Sequence, residues 1–102
     1  MIRKTATFQV RREGLERSLA AITEFVAYVK ANEPGTLRYE SWQEKGDPTR
    51  FLHVFAFRDG QAERIHSNSQ AVERFIRILY PECVEPVVFT DFDLVASTEP
   101  QR

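Results

Sequence analysis

The sequence has almost none of the residues that form covalent cross-links or metal sites. Cys83 is its only cysteine, so an internal disulfide and a cysteine-based metal site within one subunit are both excluded. The two histidines, His53 and His66, are not spaced as metal ligands, and no HExxH or EF-hand pattern is present. We therefore expect a protein without a bound metal, in a reducing compartment, with Cys83 as a buried or inert thiol.

Glycine-rich loops and long hydrophobic runs are also missing. The four glycines are isolated at turns, which argues against a phosphate-binding loop and against the nucleophile elbow of a serine hydrolase. Every apolar stretch is far shorter than the roughly 20 residues that a membrane-spanning helix needs. Residues 1–4 lead directly into a strand pattern, without the apolar core of a signal peptide, so we expect a cytoplasmic location.

An excess of charge of one sign is lacking as well. The 14 basic and 15 acidic residues give a net charge of -1, which provides no attractive surface for nucleic acid or for an anionic membrane. Hydrophobic residues at 42% and charged residues at 28% are ordinary for a soluble globular protein. The 102 residues are enough for one domain, which we place at residues 1–96, followed by a C-terminal tail at 97–102.

The chain does contain a regular succession of strand and helix patterns. Residues 3–10 alternate between apolar and polar side chains, which predicts a first strand. Apolar residues then recur at helical spacing and predict a long amphipathic helix, with one stripe formed by Leu15, Leu19, Ile22, Val26 and Val29. Pro34 and Gly35 end this helix. Two strands at residues 36–44 and 51–58 flank a turn at 46–49 and predict an antiparallel hairpin.

Helical spacing returns after Asp59, a suitable N-cap. It predicts either one helix or a broken pair, with Phe75 beside a stripe formed by Ala62, Ile65, Ser69, Val72, Ile76 and Leu79. Pro81 ends the helical region, and residues 84–96 predict a last strand. The resulting order, strand, helix, strand, strand, helix, strand, predicts an α+β ferredoxin-like fold. Both helices would cover one face of a four-stranded antiparallel sheet.

The third predicted strand is apolar on both of its faces. Phe51, Phe55 and Phe57 share one face, and Leu52, Val54 and Ala56 share the other. One face must meet the helices, and we expect the phenylalanine face to be covered by a second copy of the chain, because burying each large side chain is worth about 1.5 to 3 kcal/mol. The pattern therefore predicts a homodimer with packed sheets, an α+β barrel. A wide ligand groove is the alternative reading.

Several segments resemble the antibiotic biosynthesis monooxygenase family. They are EPGTLRYE at residues 33–40, DPTRF at 47–51, FRD at 57–59, His66 followed by Ser69, and VVF at 87–89. The resemblance implies a dimeric α+β barrel of the quinol monooxygenase type. Characterised members oxidise quinols or polycyclic phenols with molecular oxygen, without metal or flavin. The sequence differs from common members at Phe55, where an acidic residue is frequent, and at Phe57, where tryptophan is frequent.

His66 is the leading candidate for a catalytic base. It lies beside Ile65, at the edge of the apolar stripe, and a histidine has a reference pKa near 6.5, which suits the removal of a phenolic proton at neutral pH. The alternative is a histidine that only forms hydrogen bonds within its helix. The resemblance favours the catalytic role.

Five further residues are candidates for substrate binding: Tyr39, Trp42, His53, Asn68 and Tyr80. Tyr39 and Trp42 lie on opposite faces of one strand, so we expect at most one of them to line a given cavity. His53 shares the phenylalanine face, so its first expected place is the dimer interface and its second a ligand site. Asn68 fits a helix cap better than a ligand contact. Tyr80 could close a pocket through its hydroxyl, although packing on the sheet is commoner.

The function expected from the sequence and the resemblance is a cofactor-independent monooxygenase that oxidises a small aromatic substrate, a quinol or polycyclic phenol, with molecular oxygen. Three alternatives stay open at this point. The chain could be a non-catalytic ligand-binding dimer, because a fold does not establish a function. It could instead degrade haem, or act as an isomerase in which His66 shuttles protons.

Overall fold

The protein is a four-stranded antiparallel sheet covered on one side by three helices. The computed structural model describes residues 1–100, so residues 101 and 102 of the predicted tail lie outside the described residues. The elements in chain order are β1 (Ile2–Gln9), α1 (Leu15–Asn32), β2 (Thr36–Gln43), β3 (Arg50–Phe57), α2 (Gly60–Ser67), α3 (Gln70–Leu79) and β4 (Val88–Phe92). Single 3-10 turns at Arg12–Gly14 and Tyr80–Glu82 precede α1 and follow α3. The predicted α+β ferredoxin-like fold is confirmed.

The strand order across the sheet is β2-β3-β1-β4, and all three pairings are antiparallel. β1 and β3 therefore form the centre of the sheet. β4 covers only Val88–Phe92 and pairs with β1 alone, so the predicted last strand at residues 84–96 was too long. β4 begins after Pro86 because proline has no backbone N–H to donate to the neighbouring strand. β4 is also an edge strand, so β1 is its one partner in the sheet.

Two side chains divide the second helical region. Asp59 caps α2, because its side chain accepts a hydrogen bond from the backbone N–H of Ala62 at 2.9 Å. Ser69 caps α3 in the same way, accepting from the N–H of Val72 at 3.0 Å. The region is thus the broken pair of helices, and each part can present its own face to the sheet. None of the helices within the described part of the chain is long and apolar enough to cross a membrane.

The separate start of α2 changes which of its residues face inward. His66 is buried with 7% of its surface exposed, whereas Ile65 is 57% exposed. The prediction that Ile65 lies on the inner stripe, with His66 at the edge, was therefore wrong. Ala62 and His66, one turn apart, form the inner face of α2 instead. In α1 the inner face is likewise rotated, so that Phe25 is buried and Leu19 is 36% exposed.

The helices cover the face of β3 that was predicted to contact a second copy of the chain. Phe51, His53, Phe55 and Phe57 are buried beneath the helices, and Leu52 is 38% exposed on the outer face. The phenylalanines are thus the core of one chain, and the expectation that they and His53 form the dimer face was wrong. Both faces are apolar, so alternation alone could not decide which one the helices cover.

Aromatic stacking fills the space between sheet and helices. Phe8 of β1 stacks on Phe51 at a centroid distance of 5.3 Å, and Phe25 of α1 stacks on Phe75 of α3 at 4.5 Å. At the N-terminal end of α1, the buried Glu82 carboxylate accepts hydrogen bonds from Arg11 at 2.8 Å and from Arg17 at 2.7 Å. This packing holds α1 and α3 against the sheet and leaves a cavity beside α2.

Candidate active site

The centre of the candidate site is a buried histidine–carboxylate pair. Nδ1 of His66, on α2, lies 2.7 Å from Oε1 of Glu33, in the turn between α1 and β2. Both residues are buried, at 7% and 5% exposure. Thr36 adds a second hydrogen bond, donated from its hydroxyl to the same Glu33 oxygen at 2.7 Å. With Nδ1 bound to the carboxylate, Nε2 is the ring nitrogen that remains for a ligand.

The backbone around Glu33 fixes this pair in place. The N–H of Glu33 donates to the carbonyl of Val29 at 3.0 Å, which continues the hydrogen bonding of α1 by one residue. Gly35 then allows the chain to pass close to α2, because a Cβ atom added at Gly35 would lie 2.6 Å from Cβ of Ala62. The carbonyl of Gly35 accepts from the N–H of Arg58 at 2.8 Å, which ties the turn to the end of β3.

His66 lines a cavity of about 200 Å³ between the sheet and the helices. Aromatic rings surround the imidazole, and its centroid lies 5.4 Å from Phe25, 5.7 Å from Tyr39 and 5.1 Å from Phe57. Phe55 stacks nearby at 6.3 Å. Such a cavity is suited to a flat apolar ring, because aromatic faces and edges pack well on one another.

A second polar pair lies in the same cavity. The hydroxyl of Tyr39 is 2.9 Å from Nδ1 of His53, and both residues line the cavity. Burial lowers the pKa of His53 to about 4, so its imidazole is neutral at pH 7. Burial also raises the pKa of the Tyr39 hydroxyl, which keeps its proton. Nε2 of His53 is buried and has no hydrogen-bond partner within residues 1–100.

Charged and amphipathic residues complete the cavity at its opening. Lys4 forms ion pairs with Glu63 at 2.6 Å and with Asp91 at 3.3 Å. The hydrogen bond that Lys4 donates to the Glu63 carboxylate is the main cause that raises the pKa of Lys4. Tyr80 and Phe89 also line the cavity, and both are exposed, at 40% and 59%. The lining of the cavity therefore combines a charged pair and two exposed aromatic side chains with an apolar interior.

The structure brings four of the six predicted site residues together around this cavity: Tyr39, His53, His66 and Tyr80. Trp42 is 56% exposed and lies opposite Leu52 on the outer face of the sheet, away from the cavity. Asn68 is the C-cap of α2 and does not line the cavity. The catalytic and binding roles of all six stay predictions.

Glu33 is the site residue that the sequence reading missed. It was read only as part of the turn that ends α1, because no local pattern shows where a carboxylate after a helix will point. Cys83, in contrast, is half-buried outside the cavity, and burial raises the pKa of its thiol. Within the described residues, no group of three histidine, cysteine, aspartate or glutamate side chains could hold a metal ion.

The chain is similar to known proteins in sequence and in fold. The family model described as antibiotic biosynthesis monooxygenase matches residues 1–78. The crystal structure of an antibiotic biosynthesis monooxygenase superposes with a TM-score of 0.86 at 21% identity, covering 94% of this chain and 100% of that chain. A protein from Shewanella oneidensis gives a TM-score of 0.78 at 25% identity, covering 89% of this chain and 87% of that chain. Comparison with curated proteins gave no significant match.

A Caulobacter crescentus protein, provisionally described as an antibiotic biosynthesis monooxygenase, superposes with a TM-score of 0.86 at 22% identity. The alignment covers 93% of this chain and 90% of that chain. At such low identity these neighbours show that the fold is shared and leave the substrate open.

Proposed function

The chain belongs to the antibiotic biosynthesis monooxygenase family, and from this we propose that it oxidises a small quinol or phenol with molecular oxygen, without a cofactor. The observation that carries the proposal is the buried pair of His66 and Glu33 beside an aromatic cavity. A base next to an apolar cavity is the arrangement that the first step of such a reaction requires.

The first step is removal of the phenolic proton. Nε2 of His66 takes this proton, and the carboxylate of Glu33 stabilises the positive charge that forms on the ring. Glu33 also holds Nδ1 as a donor, so that Nε2 presents its lone pair to the hydroxyl. The protein thus acts on the hydroxyl and leaves the oxygen chemistry to the substrate anion.

The phenolate then reacts directly with oxygen. It transfers one electron to O₂, giving an aryloxyl radical and superoxide, which combine at a ring carbon that is ortho or para to the hydroxyl and carries a hydrogen atom. The peroxide anion takes back the proton held on Nε2 of His66, which restores the base. The hydroperoxide then loses water and leaves a carbonyl, so that a phenol and O₂ become a quinone and H₂O. The apolar cavity favours this sequence because it excludes water and holds the reactants close together.

Cavity size supports the smaller members of the substrate class. An apolar cavity of about 150 Å³ is known to accommodate benzene, so a cavity of about 200 Å³ suits one substituted ring or two small fused rings. A haem macrocycle would require a considerably larger pocket. We therefore place naphthols and simple phenols ahead of tricyclic substrates and ahead of haem.

We also propose that the working form is a homodimer that packs through the outer face of the sheet. That face carries a group of apolar side chains, formed by Trp42, Leu52, Val54, Val88 and Phe92. Apolar groups of this kind on a sheet are typical of contact surfaces, and a two-fold dimer needs only one self-complementary surface. The domain limits of 1–96 and the cytoplasmic location stay predictions.

The experiment that tests the proposal is oxygen uptake by chelator-treated protein with 1-naphthol, 1,4-dihydroxynaphthalene and anthrone. We expect uptake above the protein-free rate, fastest with the two-ring substrates, and a loss of about a hundredfold or more in His66→Ala. Ile65→Ala, a change at the exposed neighbouring position, is the matched control and should keep full activity. Equal uptake by His66→Ala would refute the role of His66, and no uptake with any substrate would favour a binding protein.

A further inference from the structure

His53 lines the cavity, and one of its ring nitrogens is buried without a hydrogen-bond partner within residues 1–100. Its side chain is 1% exposed, and Nε2 has no partner within residues 1–100. The ring itself is firmly held, stacked on Phe75 at 6.2 Å and in edge contact with Phe8 at 5.0 Å. An unpaired polar atom in so ordered a place costs stability. A ligand that pairs with it would therefore gain affinity.

The partner on the other ring nitrogen determines what Nε2 can do. The hydroxyl oxygen of Tyr39 lies 2.9 Å from Nδ1 of His53, and this hydroxyl keeps its proton. When this hydroxyl donates to Nδ1, the single proton of the neutral imidazole must lie on Nε2. Nε2 of His53 is then an N–H donor, which requires an acceptor atom as its partner.

Both histidines lie close to the ring of Tyr39. The centroid of Tyr39 is 5.5 Å from that of His53 and 5.7 Å from that of His66, and all three residues line the same cavity. A ligand ring in this cavity can therefore have one edge near His66 and another near His53. The two sites differ in kind, because His66 offers an acceptor to a hydroxyl and His53 offers a donor to an oxygen.

We propose that His53 is a specificity-determining residue, whose Nε2–H donates a hydrogen bond to a second oxygen of the substrate. The preferred ligand is then a phenol that carries an acceptor oxygen, such as a hydroxyl, ether or carbonyl, on the far side of the ring. This inference rests on the proposed function for the place of the reacting hydroxyl at His66. It adds a second anchor that orients the ring and separates one-oxygen from two-oxygen phenols.

The test compares 4-methoxyphenol with 4-ethylphenol, which match in size and differ by an oxygen in place of a methylene group. Binding is measured by calorimetry under anaerobic conditions, so that no turnover occurs. The readout is the ratio of the two dissociation constants within each protein, because a general change in the cavity affects both ligands alike. The variant is the double change Tyr39→Phe with His53→Phe, which removes the polar pair without leaving either partner unpaired.

We expect the double variant to shift this ratio about fivefold to tenfold against 4-methoxyphenol, the effect of one lost hydrogen bond. His53→Gln, whose amide keeps an N–H donor near the position of Nε2, should retain most of the wild-type ratio. The same ratio in wild type and double variant would overturn the proposal.

A measurement on the unaltered protein guards against variants that do not fold. Nitrogen-15 NMR of the histidine rings should show the proton of His53 on Nε2, with a resonance that moves on addition of 4-methoxyphenol and stays in place with 4-ethylphenol. A proton on Nδ1, or equal shifts with both ligands, would overturn the proposal. Because no oxygen is consumed, these results are independent of the oxygenase reaction. A protein that takes up no oxygen but shows the expected ratio would refute the oxygenase and keep the ligand preference.

Discussion

Glu33 and His66 are 33 residues apart in the chain, and Nδ1 of His66 lies 2.7 Å from Oε1 of Glu33. The contact joins the turn after α1 to the inner face of α2, and the absence of a Cβ at Gly35 lets these two segments approach closely. The remaining ring nitrogen of His66 is thereby assigned to the cavity. The proposed role of His66 as a base depends on this contact.

Replacing Glu33 with glutamine tests whether the carboxylate supports the base. The substitution keeps the shape of the side chain and removes the charge that stabilises the protonated ring. We expect kcat for oxygen uptake to fall by about tenfold or more, with little change in KM, because Glu33 does not line the cavity. Steady-state kinetics with 1-naphthol measures both constants. A raised KM with unchanged kcat would show that Glu33 acts only on ligand binding.

His53 makes the stability of the protein depend on pH. Burial lowers its pKa in the folded protein from 6.5 to about 4, whereas the unfolded chain protonates near 6.5. As the pH falls from about 6.5 towards 4, the unfolded state binds a proton that the folded state does not bind, and stability is lost. The expected contribution of His53 is about 3 kcal/mol across this range.

This pH dependence is measured by urea denaturation at pH 7 and pH 4. The wild type loses stability from other groups as well, so the comparison is with the double change Tyr39→Phe and His53→Phe, which lacks this titration. The double variant should lose less stability on acidification than the wild type. Equal losses in the two proteins would mean that His53 is not held neutral.

Gly35→Ala tests the close approach of the Glu33 turn to α2. The added methyl would lie 2.6 Å from Cβ of Ala62, so one segment must move. We expect a loss of about 1 to 3 kcal/mol in the free energy of unfolding, together with reduced activity. Gly46→Ala is the matched control, because a Cβ atom there meets nothing within 4 Å. If both variants have the same urea denaturation midpoint as the wild type, the turn is less tightly packed than the structure indicates.

Leu52→Glu tests the proposed dimer surface. Leu52 lies on the outer face of β3, and a buried unpaired carboxylate at a sheet-to-sheet contact would be strongly unfavourable. Light scattering should report a dimer for the wild type and a monomer for the variant. Ile65→Glu, an equally drastic change at an exposed position of α2, should leave the mass unchanged. A dimer that survives Leu52→Glu would locate the contact elsewhere.

The fold could be predicted from the sequence because its elements have strong local signals. Alternation in β1, the Pro34-Gly35 stop and the cap at Asp59 each depend on neighbouring residues only. Ser69 was predicted on the apolar stripe and is instead the N-cap of α3. The choice of face in β3 could not be predicted, because both of its faces are apolar and the helices that cover one of them come from distant segments.

The candidate site could be predicted only in part, because some of its contacts join distant segments of the chain. The residue type and the family resemblance both indicated His66, which lines the cavity, but the prediction that it lies at the edge of the apolar stripe was wrong. Glu33 was missed, since its role comes from a contact across 33 positions that no local pattern encodes. His53 was placed on the wrong side of the protein because its assignment followed that of the phenylalanines beside it.

The central claim is that the protein inserts oxygen into a phenol with His66 as the base, and the most direct measurement uses isotopic oxygen. Chelator-treated protein is incubated with 1-naphthol under ¹⁸O₂, and the mass of the 1,4-naphthoquinone is determined for wild type and His66→Ala. The account predicts one labelled oxygen atom in each quinone formed by the wild type, and little product from the variant. Unlabelled quinone, or the same labelled yield from His66→Ala, would contradict it.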